Sequence, residues 1–294
     1  MTNGDNTVCE YAAESSNFAL ISTYYRETDL DYRLIWQSGR NKARHFGFDY
    51  GGFTDHGKAI NRAREKLADI SGITNETRVV DCGCGLGGTS IFMAKNRGAS
   101  VVGIDIVPSH VEHAANAAFS AGIGELAEFR CADFSNTRLA AGAYDTVLIQ
   151  EALCHSGSKP GFYREAKRLL APGGRLVVAE YMLNDRHFAR HDIDRIDRWC
   201  RGWAMSGLWR TSEHVSAARE AGFSEIELTD FSAEAKGSLR RLYRYSRLCL
   251  PFAQLLYALG FRSTAANRNV EASILQYETF AEGIWIYGIL RATL

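Results

Sequence analysis

Between Val79 and Ser90 the chain reads VVDCGCGLGGTS, placing one carboxylate, two thiols and four glycines at the end of an apolar run. Metal binding, thiol redox chemistry and cofactor binding all use such residues. Cys82 and Cys84 are one residue apart, and no second Cys/His pair follows to complete a tetrahedral zinc site. The spacing is also wrong for a Cys-x-x-Cys redox pair. All seven cysteines, an odd and scattered set, therefore read as small packing residues with reduced thiols. That leaves the glycines.

Gly83, Gly85 and Gly88 satisfy the G-x-G-x-x-G spacing of dinucleotide loops. Such a loop ends a strand and opens a helix, so that backbone N–H groups meet a ligand. A nicotinamide dinucleotide also wants an acid further on for its ribose, and Asp105 stands there. But Asp81 sits two positions before the first glycine. A carboxylate beside a pyrophosphate is repulsive by about 1 kcal/mol or more at close range. The same carboxylate suits a ligand that carries an ammonium or a sulfonium. The charge favours a cationic cofactor.

These residues need a scaffold that brings strand ends together. From residue 56 on, helical and strand patterns alternate. HGKAINRAREKLADI keeps Ala59, Ile60, Ala63, Leu67 and Ile70 on one helical face. Strands are expected at 78–83, 100–106, 126–133, 144–151 and 174–183, with helices between them. FYREAKRLLAPGG reads as a helix ended at Pro172 and its glycines. A later helix and strand, TSEHVSAAREAGF and SEIELTDFS, and a final strand in GIWIYGILRATL complete the alternation. The expected fold is α/β: a seven-stranded, mostly parallel, doubly wound Rossmann-like sheet whose last strand is antiparallel. Residues 1–17 read as a disordered tail and 18–55 as an aromatic-rich cap. Residues 56–232 form the cofactor domain, 233–282 a helical cap insertion, and 283–294 the last strand.

Several ordered motifs in this frame resemble the seven-stranded class I S-adenosylmethionine-dependent methyltransferases: VVDCGCGLGG, VVGIDI, CADF and LLAPGGRLVVAE. The resemblance implies S-adenosyl-L-methionine as cofactor. Asp81, Gly83, Gly85 and Gly87 would surround its methionine part, with Gln150 at the rim. Asp105 would hold the ribose hydroxyls and Ile106 would wall the adenine. Asp133 would accept from the adenine amino group, with Phe134 beside it.

Within residues 149–170, EALCH resembles a segment of the sterol C-methyltransferases, whose wider relatives methylate prenyl diphosphates and terpenoid side chains. The implied reaction is C-methylation of an isoprenoid alkene. An alkene that takes a methyl becomes a tertiary carbocation, which needs aromatic faces and a base. Glu151 is the candidate base and Glu180 the next choice. Tyr24, Tyr25, Tyr32, Trp36, Phe46, Trp199, Trp203 and Trp209 are candidates for the lining. The alternative is an O- or N-methyltransferase, with His155 or His45 as base. A non-catalytic cofactor-binding module is the remote alternative.

Arg240, Arg244 and Arg247 share one helical face without an acid within four residues. They read either as a solvated basic face, paired with acids such as Asp192, Asp194 and Asp197, or as a clamp for a diphosphate head, assisted by Mg²⁺. No other metal is expected. The 34 basic and 34 acidic residues balance, which gives non-specific nucleic-acid binding no support. No apolar run reaches the ~20 residues of a membrane span. The polar N-terminus lacks the plan of a signal peptide, so a cytoplasmic location is expected. The partner expected is a small lipophilic acceptor, and a homo-oligomer is left open.

Overall fold

The computed structural model describes residues 18–36, 38–50 and 55–294. The tail expected at residues 1–17 lies outside the described residues.

Seven strands form one sheet in the order β3-β2-β1-β4-β5-β7-β6. They are β1 (Arg78–Cys82), β2 (Ser100–Asp105), β3 (Ala127–Cys131), β4 (Tyr144–Gln150), β5 (Leu170–Leu183), β6 (Ser224–Asp230) and β7 (Trp285–Thr293). β7 runs antiparallel between β5 and β6, and every pairing from β3 across to β5 is parallel. After the exposed Arg78, β1 is buried through Cys82, with Val79 and Val80 inaccessible to solvent, as a strand covered on both faces requires.

The helices are α1 (Phe18–Leu34), α2 (Ser38–Asn41), α3 (His56–Ser71), α4 (Gly88–Arg97), α5 (Pro108–Ser120), α6 (Lys159–Leu169), α7 (Arg190–Gly202), α8 (Thr211–Ala221), α9 (Ser232–Ala258) and α10 (Thr264–Ala281). Local chemistry sets their ends. Asp55 caps α3 by accepting from the Lys58 N–H, and Gly72 closes it in the left-handed conformation. Ser158 caps α6 in the same way, through the Gly161 N–H.

Two elements differ from the sequence expectation. The helix expected to reach Pro172 stops at Leu169, and Leu170 already pairs with Tyr144 on β4. Strand-edge pairing wins there over helical periodicity. Helix α7, in RHDIDRIDRWCRG, has no counterpart among the sequence expectations. Its apolar positions Ile196, Trp199 and Cys200 lie on one buried face.

The cap is assembled from separate stretches of chain. α10 packs on α7, α9 and α1 at once. Tyr24 on α1 donates to Asn269 on α10 at 2.9 Å. Trp199 and Trp203 of α7 pack edge-on or tilted against Tyr181 of β5. No helix among the described residues is long and apolar enough to cross a membrane.

Candidate active site

A cavity of about 290 Å³ opens at the carboxyl ends of β1, β2, β3 and β4, where a doubly wound sheet places its ligand. Its floor is the turn after β1. Gly83, Gly85 and Gly87 all have positive φ, which lets the chain reverse tightly into α4. A Cβ on Gly83 would come within 2.3 Å of the Ala152 Cβ, whereas one on Gly85 would meet nothing within 4 Å and faces open space. Gly87 does not line the cavity. A Cβ there would meet Ala114 and the Phe129 ring, so its smallness lets the turn pack against α5 and β3.

Three carboxylates stand at successive strand ends. Asp81 is almost wholly buried, and Ser90 donates to it at 2.5 Å. Burial raises its pKa to about 6, against the pull of the Ser90 hydrogen bond and the Arg64 charge. Asp105 accepts the Gly85 N–H at 2.9 Å and the Val107 N–H at 2.8 Å. Burial pushes its carboxyl up, but His110 and these N–H groups outweigh that and hold it below the ordinary range. Asp133 accepts the Ser135 N–H at 2.7 Å, and Phe134 beside it stands edge-on to Phe162. Ile106 and Gln150 complete this part of the wall, and the Thr89 hydroxyl donates to the Gln150 side-chain Oε1 at 3.1 Å.

This donor set fits S-adenosyl-L-methionine, with carboxylates at successive strand ends that would meet an ammonium, ribose hydroxyls and an amino group. Bound there, the group supplies a methyl on a sulfonium. Asp81, Asp105 and Asp133 would hold it there.

His110, which no sequence motif singles out, orients Asp105. Its Nδ1 lies 3.3 Å from an Asp105 oxygen, and Arg44 lies 2.6 Å from its Nε2. A guanidinium only donates, so Nε2 accepts and Nδ1 carries the proton. Arg44 comes from the cap, where it sits 4.6 Å from the Tyr25 ring centre and 4.8 Å from that of Tyr32. Only folding brings it to α5, so no sequence spacing could have found the pair.

Glu151 follows β4 with φ at +51°, a conformation that costs a non-glycine residue about 1 kcal/mol. The bend turns its carboxylate inward. Phe46 N–H and the Tyr287 hydroxyl donate to Oε1, each at 2.8 Å, and the Tyr181 hydroxyl donates to Oε2 through a short bond. Burial nevertheless raises its pKa to about 8, against these three donors. His155 also reaches the cavity. Its Nδ1 lies 3.0 Å from the Ala204 carbonyl and so carries the proton, which leaves Nε2 to accept from the Tyr25 hydroxyl at 3.3 Å. Burial lowers its pKa, keeping the ring neutral. His45 lines the wall with Nε2 unpartnered, and burial lowers its pKa to about 3.

Several expected site residues lie elsewhere. Glu180 is behind the cavity wall, accepting the N–H groups of Cys154 and Tyr181 at 2.9 Å each. Of the aromatics proposed for the lining, Tyr25 takes part. Tyr24, Tyr32, Trp36, Phe46, Trp199 and Trp203 are buried in the core between sheet and cap, and Trp209 stacks on Tyr163. Arg240, Arg244 and Arg247 are exposed on α9, off the cavity. The cavity's cationic wall is Lys42 and Arg44.

A sheet of this order, with its last strand reversed and carboxylates ringing a glycine turn, defines the class I methyltransferase architecture. The chain belongs to the methyltransferase domain family, whose model matches residues 73–235. It is 29% identical to the sterol 24-C-methyltransferase ERG6A of Gibberella zeae over 76% of this chain and 58% of that protein. The chain thus spans little more than half the length of that relative. It is 27% identical to the chloroplastic tocopherol O-methyltransferase of Arabidopsis thaliana, over 95% of this chain and 84% of that one. Among solved structures, the [4+2]-cyclase SpnF superposes with a TM-score of 0.77 at 20% identity, covering 95% of this chain and 97% of that chain. Geranyl diphosphate C-methyltransferase from Streptomyces coelicolor A3(2) superposes with a TM-score of 0.70 at 17% identity, covering 95% and 98%. These two superpositions speak to the fold alone.

Proposed function

We propose that this protein is an S-adenosylmethionine-dependent methyltransferase that methylates carbon on an isoprenoid alkene. The observation that carries the reading is Glu151, a buried carboxylate raised to about 8 on the wall of the cofactor cavity. A carboxylate of that basicity can take the proton that a carbocation must lose. The aromatic ring of Tyr25 lines the same wall, and such rings stabilise a nearby cation. The sterol relative is named as a C-methyltransferase, which agrees with this chemistry. A diphosphate head on the acceptor would meet Lys42 and Arg44 rather than Arg240, Arg244 and Arg247.

A second reading is O-methylation of a lipophilic phenol. It is favoured by His155, whose Nε2 already accepts from a phenol, that of Tyr25. The tocopherol relative, matched over nearly the whole chain, agrees with it. Incubation with methyl-labelled donor and a panel of prenyl diphosphates, sterols and prenylated phenols separates the two. Label retained on carbon through acid hydrolysis supports the first reading. A labelled methyl ether from a phenol, with no labelled alkene product, overturns it. The absence of labelled product from every acceptor in that panel counts against both.

A further inference from the structure

Charge is unevenly spread along this neutral chain. Between Glu234 and Glu271 there are seven lysines and arginines and no aspartate or glutamate, which leaves the rest of the chain seven charges negative. This stretch is α9, the turn after it and the start of α10. On α9 the buried side is Ala235, Leu239, Leu242, Ser246 and Ala253. Leu248, Phe252, Leu255 and Leu259 follow one another at four- and three-residue steps on the opposite side, and all are exposed. Leu248 is 78% exposed, Phe252 63% and, in the turn, Phe261 80%. Arg240, Arg244 and Arg247 lie alongside this stripe, also exposed, and make no ion pair with any described residue. The Arg262–Asp31 ion pair ties the turn to α1, which adds exposed Leu30 and Leu34 at the same end of the cap.

A water-soluble surface rarely gathers this many large apolar side chains unless something covers them. We propose that this end of the cap docks on the surface of an anionic lipid bilayer. The apolar stripe would enter the interface with the arginines beside it at the level of the phosphates, the arrangement of an amphipathic helix lying in the plane of a membrane. The charge separation selects this occupant. Two copies of the chain meeting through this face would set the exposed Arg240, Arg244 and Arg247 of one against those of the other, whereas phosphatidylglycerol or phosphatidylserine presents the opposite sign. Docking also sets the cavity near lipid, since α1 carries both the exposed Leu30 and Leu34 and the cavity residues Ile21 and Tyr25. The surface would act in this way whatever acceptor the cavity takes.

Sedimentation of the full chain with phosphatidylcholine vesicles, with and without phosphatidylglycerol, tests the inference. Binding is expected to the anionic vesicles and to weaken as salt is added. Each of Arg240→Ala, Arg244→Ala and Arg247→Ala should weaken it about fivefold, and the three together on the order of a hundredfold, from ~1 kcal/mol per basic residue near the surface. The combined variant Leu248→Ser, Phe252→Ser, Phe261→Ser should lose binding while its affinity for S-adenosylhomocysteine, measured by calorimetry, stays unchanged. Failure to sediment with anionic vesicles overturns the proposal, as does binding that these three changes leave intact. A dimer in sedimentation velocity that the apolar variant dissolves, without vesicle binding, would assign the face to a second copy instead.

Discussion

The backbone N–H of Phe46 in the cap donates to the carboxylate of Glu151 at the end of β4, 2.8 Å away. The residue proposed as the base is therefore also a latch between cap and sheet. Tyr181 and Tyr287 hold the same carboxylate from β5 and β7. Changing Glu151 should affect chemistry and cap together, and the choice of substitution separates them.

Glu151→Gln keeps the acceptor oxygen for Phe46 N–H and removes the basicity. Turnover should fall ~10²–10⁴-fold with donor affinity retained. Glu151→Ala removes the latch as well and should also lower the thermal midpoint. Wild-type turnover in the Gln variant would remove Glu151 as the base.

The same carboxyl predicts a pH profile. The base must be ionised, and its pKa is raised to about 8. C-methylation should therefore increase as pH rises through about 8, and the rise should vanish in Glu151→Gln. A profile flat from neutral pH upward would contradict this.

Asp105→Ala should weaken donor binding by roughly 1.5–3 kcal/mol for each hydrogen bond lost to the charged carboxylate. His110→Ala leaves Asp105 present but loosens its orientation, so a smaller loss, about fivefold, is expected in calorimetry. Equal affinity in wild type and Asp105→Ala would remove Asp105 from the donor site.

Two glycines of one turn should behave differently. Gly87→Ala places a Cβ 2.7 Å from that of Ala114, at a φ of +78°. It should cost roughly 2–3 kcal/mol and lower the thermal midpoint. Gly85→Ala has room and pays about 1 kcal/mol for its backbone, so its main effect should be on donor affinity, because it faces the cavity. Melting curves and calorimetry on both variants check the contrast.

Glu180 predicts a pH dependence of stability. Burial raises its pKa from the ordinary 4.5 to about 7. The folded state thus binds its proton more tightly than the unfolded chain does. The resulting stabilisation is complete below about 4.5 and is lost as pH rises through about 7, at most roughly 3 kcal/mol. Glu180→Gln should flatten that part of the thermal-midpoint curve. Glu151 adds a similar fall with its end near 8.

The sheet, and the gathering of three carboxylates and a glycine turn at one edge of it, were legible in the amino-acid sequence. Both are written in short-range signals: β-branched runs, the glycines that reverse the chain after β1, and acids at the ends of consecutive strands. Asp81, Asp105 and Asp133 were legible because parallel strands from neighbouring βαβ units deliver their carboxyl ends to one edge. The far wall of the cavity was not legible in the sequence, because long-range packing builds it. Tyr24 and Tyr25 are adjacent on one helix, yet packing against α10 buries the first in the core and leaves the second on the cavity wall. Arg44 reaches His110 across 66 positions of sequence. Arg240, Arg244 and Arg247 had the periodicity of a shared face, but periodicity does not say which way a face points. That depends on which stripe of α9 finds an apolar surface to bury, and the arginines took the other side.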